Sequence, residues 1–199
     1  LSGISDAVGI DLIAHGTTSD ADTIRDTKVA QPLIVAAGLV TLKSLFADGR
    51  REKVGGVAGH SVGEVAAAHV SGVLSLADAC ALVAARGRLM QALPPGGAMV
   101  AVEAGEADVA GLVAARVSRA AVNAPDSVVL SGEEAEVVAA AAACAARGWR
   151  TSRLRVSHAF HSPLVEPMLG EFERVLGAVD WRAPRVPVVS SLTGELADA

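Results

Sequence analysis

Gly59-His60-Ser61-Val62-Gly63 sets a serine midway between two glycines. An apolar, strand-like stretch precedes it, and the helix-forming run Glu64-Val65-Ala66-Ala67-Ala68 follows. This is the order a nucleophile elbow requires: a tight strand-to-helix turn in which small residues let neighbouring backbone pass closely and the hydroxyl is pushed outward. The N–H of Val62 then lies at a helix N-terminus, aimed at a developing oxyanion. The competing reading is a surface turn with a capping serine. A serine nucleophile also needs a base, and the chain holds five histidines. His15 has no motif around it, His69 falls inside the helix after the elbow, and His60 adjoins the serine as a support of the turn. The loop Ser157-His158-Ala159-Phe160-His161-Ser162-Pro163 offers two more. Either His158 or His161 can serve as base, and no carboxylate stands close by to complete a metal clip with them.

The elements that must position these groups alternate between helix and strand. Residues 28–47 read as a long helix, with Pro32 tolerated near its first turn. The strand ending at Gly59 follows. Ser75 with Asp78 resembles an N-cap before a helix over Leu76–Leu93, which Pro94-Pro95-Gly96-Gly97 ends. From there the order is strand (98–103), helix (106–116), strand (119–123), strand (127–131), helix (133–147) and strand (149–156). That β-α-β-β-α-β order matches a ferredoxin-like unit. The chain then returns to a helical pattern over 163–179 and an apolar strand over 186–190. The fold expected is α/β, a hydrolase-like parallel-sheet body over 1–97 and 157–199 with a small ferredoxin-like subdomain inserted at 98–156.

At 199 residues the length suits one domain with such an insertion. A composition 51% hydrophobic and 20% charged fits a buried core, and only 3% is aromatic, so Ala, Val and Leu must build it. A net charge of -5 argues against non-specific nucleic-acid binding. Arg147, Arg150, Arg153 and Arg155 form a local basic cluster, read as a solvated strand edge or a face for an acidic partner. Cys80 and Cys144 sit in Ala-rich helical patterns, where buried free thiols and a reducing, cytoplasmic compartment are expected. No apolar run is read as a membrane span, no signal peptide is seen, and no zinc spacing occurs. Beginning at Leu1 and stopping soon after a strand, the chain reads as an excerpt, incomplete at both ends.

Three segments carry a more specific resemblance: Gly59-His60-Ser61-Val62-Gly63-Glu64, Ala85-Arg86-Gly87 and His158-Ala159-Phe160-His161-Ser162-Pro163. In that order, and over nearly the whole chain, they resemble the malonyl/acyl-CoA:acyl-carrier-protein transacylases, which comprise acyltransferase domains of modular polyketide synthases and free-standing enzymes of fatty acid synthesis. The resemblance implies Ser61 as acyl-accepting nucleophile and His161 as general base, then acid. It implies Arg86 as the partner of a malonyl carboxylate, for which a planar guanidinium supplies two parallel hydrogen bonds. Asn123 and Gln31 match positions near the acyl pocket. His158 and Phe160 belong to a His-Ala-Phe-His pattern similar to that of malonyl-selective domains, where Phe160 would fill the room an α-methyl needs, and Val62 leans the same way. The family's oxyanion glutamine and the group orienting its histidine would fall outside residues 1–199. Implied with these are a coenzyme A thioester as substrate, no bound cofactor or metal, and an acyl carrier protein bearing phosphopantetheine as partner. Adjacent synthase domains would be further neighbours, with no role for nucleic acid or membrane.

Two other readings remain open at this point. A serine esterase or thioesterase would want a buried acid between serine and histidine in chain order, and Asp126 is the best placed. Arg86 has no evident purpose there. A non-catalytic structural fragment of a synthase is the third.

Overall fold

Helices α1 (Ser2–Val8) and α2 (Leu12–Thr17) lead into the long α3 (Thr27–Leu45), after which the short strand β1 (Val57–Ala58) runs into α4 (Gly63–Ser71) and α5 (Leu76–Gln91). The structure is a computed structural model that describes residues 1–47, 49–113 and 116–197, without the side chains of Arg50 and Arg51. It divides into two units, one of Leu1–Gln91 with Glu171–Ala199 and the other of Ala92–Gly170. The second holds β2 (Ala98–Val102), α6 (Glu106–Val109), β3 (Val117–Ala124), β4 (Ser127–Gly132), α7 (Glu134–Ala146) and β5 (Thr151–Arg153). Helix α8 (Glu166–Leu176) and strand β6 (Val188–Val189) complete the chain. The unit boundary lies outside the 98–156 insertion read from the sequence, so the histidine loop groups with the small unit.

In the first unit, β1 and β6 pair in parallel, with Val57 opposite Val188 and Ala58 opposite Val189. Ser75 caps α5 as expected: its hydroxyl accepts from the Asp78 N–H at 3.1 Å and donates to the Asp78 carboxylate at 2.5 Å. Leu74, Ala79 and Leu82 form a buried cluster with Phe172, Val175 and Leu176 of α8. Helices α3 and α5 pack together. At Gly87 an added Cβ would lie 3.0 Å from the Thr27 carbonyl oxygen, so a glycine is what lets α5 come this close to the start of α3. The Thr27 N–H, an orphan of the helix start, donates to Gln91 Oε1 at 2.6 Å.

Two expectations for α3 are corrected. Pro32 is the sixth helical residue rather than a first-turn one, so the Lys28 carbonyl lacks its usual i→i−4 donor. The helix is also long and apolar enough to cross a membrane by length and composition, with 19 residues at mean hydropathy 1.3. Its Thr27, Val29, Gln31, Pro32, Val35 and Ala36 are buried within the fold. These buried residues all lie in its first half, and residues 37–45 are exposed or half-buried.

The second unit is a four-stranded antiparallel sheet in the order β3-β4-β2-β5. Numbered within the unit, that is the 2-3-1-4 order of a ferredoxin-like fold. Alternation places Ala98, Val100 and Val102 of β2 and Val128 and Leu130 of β4 in one core. Val137, Ala140 and Cys144 of α7, spaced at helical period, pack into the same core. The expected helix over 106–116 is only α6 followed by a 3-10 turn, Ala110–Leu112, and Ala114 and Ala115 lie outside the described residues. Gly111, a weak helix former, interrupts the run. Strand β5 is shorter than the expected 149–156 because it is an edge strand paired only with β2. The basic cluster is largely engaged: Arg150 pairs with Glu103, Arg153 with Glu134, and the Arg147 guanidinium lies 5.8 Å over the Trp149 ring.

Candidate active site

The turn between β1 and α4 is a strained one. Ser61 has φ 53, a left-handed conformation that side chains with a Cβ rarely adopt. The hydrogen bonds that hold it are internal to the turn, from the Gly63 N–H to the His60 carbonyl at 2.9 Å and from the Glu64 N–H to the Ser61 carbonyl at 3.0 Å. The Val62 N–H is not among those pairs, and Val62 is the N-cap of α4. An N–H at that place is free of the turn's own bonding, as an oxyanion donor must be. The two glycines of the motif differ in their reasons. At Gly59 a Cβ would sit 2.2 Å from the Glu64 nitrogen and 2.3 Å from the Gly63 carbonyl carbon. At Gly63 it would meet nothing within 4 Å. Close passage of backbone therefore dictates only the first.

Helix α5 brings Arg86 to this turn. Its Nη2 donates to Ser61 Oγ at 3.3 Å, and its Nη1 donates to Gln31 Oε1. The Gln31 amide in turn donates to the Met90 sulfur at 3.1 Å, one helical turn beyond Arg86. Gln31 is 6% exposed, so its amide is a fixed support rather than a surface rotor. Burial pulls the Arg86 guanidinium below its usual range while the Glu64 carboxylate opposes that shift. An arginine starts so high that it stays charged throughout. Glu64 is itself held by the Ser191 hydroxyl, which donates to Glu64 Oε1 at 2.6 Å. Its nearness to Arg86 follows from the elbow's fold-back and carries no local sequence signal.

The histidine loop belongs to the second unit. His158 is 8% exposed, its Nε2 donating to the Leu93 carbonyl at 3.2 Å, and its backbone bridges to Gly96. Nδ1 of the same ring is buried without a partner. These contacts fasten the loop to the segment that follows α5. Gly97 makes room for it: at φ 82, its Cβ would lie 2.6 Å from Ala159 Cβ and 2.8 Å from the Gly132 carbonyl oxygen. Phe160 is half-buried and tilted against His158, with ring centroids 6.1 Å apart. His161 is exposed at φ 57, so the candidate base, like the candidate nucleophile, sits on a left-handed backbone. Among the described residues these are the two non-glycine positions with positive φ.

The remaining candidates lie elsewhere. Asn123 occupies a bulge where the β3–β4 register shifts, and Asp126 lies in the hairpin turn that follows. Gly132, at the other end of β4, is the strand end against which the histidine loop packs. Six strand residues span roughly 17–20 Å. Asp126 thus lies at the far end of β4 from Gly132. His69 and His15 are structural, the first bonded to the Leu74 carbonyl at 3.1 Å and the second to the Ser19 hydroxyl at 2.9 Å.

Comparison with known proteins identifies the family of the chain. Residues 4–199 match the family model described as acyl transferase domain. Polyketide synthase GfsA of Streptomyces halstedii is 54% identical over 182 residues, covering 90% of this chain and 2% of that protein. The acyltransferase domain from the second module of the salinomycin polyketide synthase superposes with a TM-score of 0.93 at 52% identity, covering 100% of this chain and 47% of that one. Malonyl-CoA:acyl carrier protein transacylase (FabD) of Xanthomonas oryzae gives a TM-score of 0.90 at 34% identity, covering 100% of this chain and 66% of that one. The chain thus spans a small part of the synthase and about half to two thirds of the solved chains.

Proposed function

This chain belongs to the acyl transferase domain family, and we propose that it moves a malonyl group from coenzyme A, through an ester on Ser61, to the phosphopantetheine thiol of an acyl carrier protein. The observation that carries this reading is the guanidinium of Arg86 standing 3.3 Å from Ser61 Oγ. In a malonyl ester a single methylene separates the carbonyl carbon from the free carboxylate. A cation meant for that carboxylate must therefore lie within a few ångströms of the attacking oxygen. An uncharged acyl group would forgo that charge-assisted hydrogen bond.

In the proposed sequence Ser61 Oγ attacks the thioester carbonyl and gives its proton to His161. The Val62 N–H receives the oxyanion. Collapse expels the coenzyme A thiolate, which takes the proton from His161 and leaves malonyl-Ser61. The carrier's thiol then attacks this ester, again losing its proton to His161, which returns it to Ser61 Oγ as the malonyl thioester departs. Gln31 holds Arg86 in place, and Phe160 with Val62 favours malonyl over its α-methyl homologue. Synthase domains of the kind found in GfsA are the proposed neighbours, and two reduced thiols suit a cytoplasmic setting.

The test is intact-mass analysis after mixing with malonyl-CoA. A stable malonyl adduct that disappears in Ser61→Ala, and that discharges onto a phosphopantetheinylated carrier protein, is the expected result. Rapid release of free malonate without an adduct would make the protein a hydrolase, and neither event would make it a structural fragment.

A further inference from the structure

We propose that Ser162 is a positioning residue that holds the backbone of His161 in its left-handed conformation and thereby aims the imidazole. Ser162 is 6% exposed, and its hydroxyl is doubly committed. It donates to the Ala159 carbonyl at 2.7 Å and accepts from the Leu164 N–H at 3.3 Å. Between Ala159 and Ser162 stand Phe160 and His161, so the four residues form a reverse turn with His161 at its third position. Positive φ at the third position of a turn is ordinarily given to Gly or Asn. Histidine stands there at φ 57. In an ordinary turn the first carbonyl is met by the backbone N–H of the fourth residue. Here the hydroxyl of the fourth residue meets that carbonyl as well, and the same oxygen then caps the 3-10 turn Pro163–Val165. One buried side chain ties both flanks of His161, while His161 itself remains exposed. Removing the hydroxyl deletes both flanking bonds at once and so weakens the hold on His161's positive φ and on the direction of its ring.

The role assigned to Ser162 in turnover rests on His161 being the base proposed above, so its test has one readout that depends on that reading and one that does not. The first is the acylation of Ser61 by malonyl-CoA. In Ser162→Ala the maximal acylation rate should fall about ten- to a hundred-fold, part of what a positioned base contributes, with the half-saturating concentration unchanged. Ser162→Thr keeps the hydroxyl on an extended residue that tolerates a β-branch, and should restore the rate to within a few-fold. The second is the His161 backbone, followed by its HN–Hα coupling and Cα and Cβ shifts in NMR. These should report left-handed φ in the native protein and in Ser162→Thr, and lose that signature in Ser162→Ala. If Ser162→Ala does not fold, Ser162→Cys, of similar volume with a weaker donor, is read in the same way. An Ala or Cys variant with the native His161 signature overturns the proposal, whatever its rate. A native protein that is never acylated overturns the transferase reading alone, since the NMR comparison still decides what Ser162 does.

Discussion

At the scale of single residues, the role proposed for Arg86 turns charge into substrate choice. Its two terminal nitrogens are divided between Gln31 and Ser61, so one is anchored and the other faces the site of acylation. A charge-assisted hydrogen bond contributes roughly 1.5–3 kcal/mol. Arg86→Ala should therefore slow malonyl transfer by about ten- to a hundred-fold while raising acetyl transfer relative to malonyl. Competition between the two thioesters, scored as acyl-enzyme mass, measures this, and an unchanged malonyl preference would place the carboxylate partner elsewhere. Phe160 is proposed to act through shape alone, and shape is a weaker lever. Excluding one methyl group in an apolar pocket gives about 1–3 kcal/mol. Phe160→Ser should relax discrimination between malonyl-CoA and methylmalonyl-CoA without inverting it, and it also loses the tilted contact with His158. A mutant with the native ratio would show that other side chains set the pocket's size. At this scale much was legible in the sequence, because Gly-x-Ser-x-Gly and Ala85-Arg86-Gly87 are local patterns. The support of Arg86 by Gln31 and Met90 was not, since that contact depends on how α3 and α5 cross.

At the scale of elements, the elbow and the histidine loop solve the same problem. Each presents a candidate side chain from a non-glycine residue at positive φ, and each relies on a glycine elsewhere to let backbone pass. For the elbow that glycine is Gly59, whose added Cβ would meet backbone atoms at 2.2–2.4 Å. Backbone cannot rotate away as a side-chain tip can. Gly59→Ala should thus cost about 3 kcal/mol or more, at or beyond the upper end of overpacking penalties. Gly63→Ala, with open space around it, should change the melting temperature little, alanine being the better helix former. Thermal unfolding of both variants checks the contrast, and equal losses would show that the strain at Ser61 lies elsewhere. The sequence pattern treated the two glycines alike, since a motif records identity without recording which neighbour comes close. For similar reasons the helices α3, α5 and α7 were readable from their periodicity, whereas β1, β6 and β5 shrank to two or three paired residues. Strand length depends on what lies opposite, which a single segment does not encode.

At the scale of the whole molecule, each unit carries one buried thiol, Cys80 on α5 in the first and Cys144 on α7 in the second. The sequence reading expected both to be buried because they fall on apolar faces of Ala-rich helices, and both are, at 3% and 0% exposure. Burial raises the Cys80 thiol above its ordinary value, and it raises Cys144 against a smaller opposing pull from Arg147. Reaction with an alkylating agent needs the thiolate and needs access, so the native protein is doubly protected. At pH 8 iodoacetamide should modify either cysteine at least about a hundredfold more slowly than in denaturant, because only a small open population reacts. Peptide mass spectrometry separates the two sites, so each thiol reports the opening of its own unit. The pH dependence has a fixed sign. A group whose folded value is raised contributes fully below the unfolded value, near 9.0, and loses that contribution as pH climbs past it, since the unfolded chain then ionises first. Stability should accordingly fall above about pH 9, and a Cys80→Ala, Cys144→Ala double variant should fall less steeply over that range. A native thiol alkylated at the rate of the denatured chain would mean that its helix face is open to solvent, and the core assigned to that unit would be wrong.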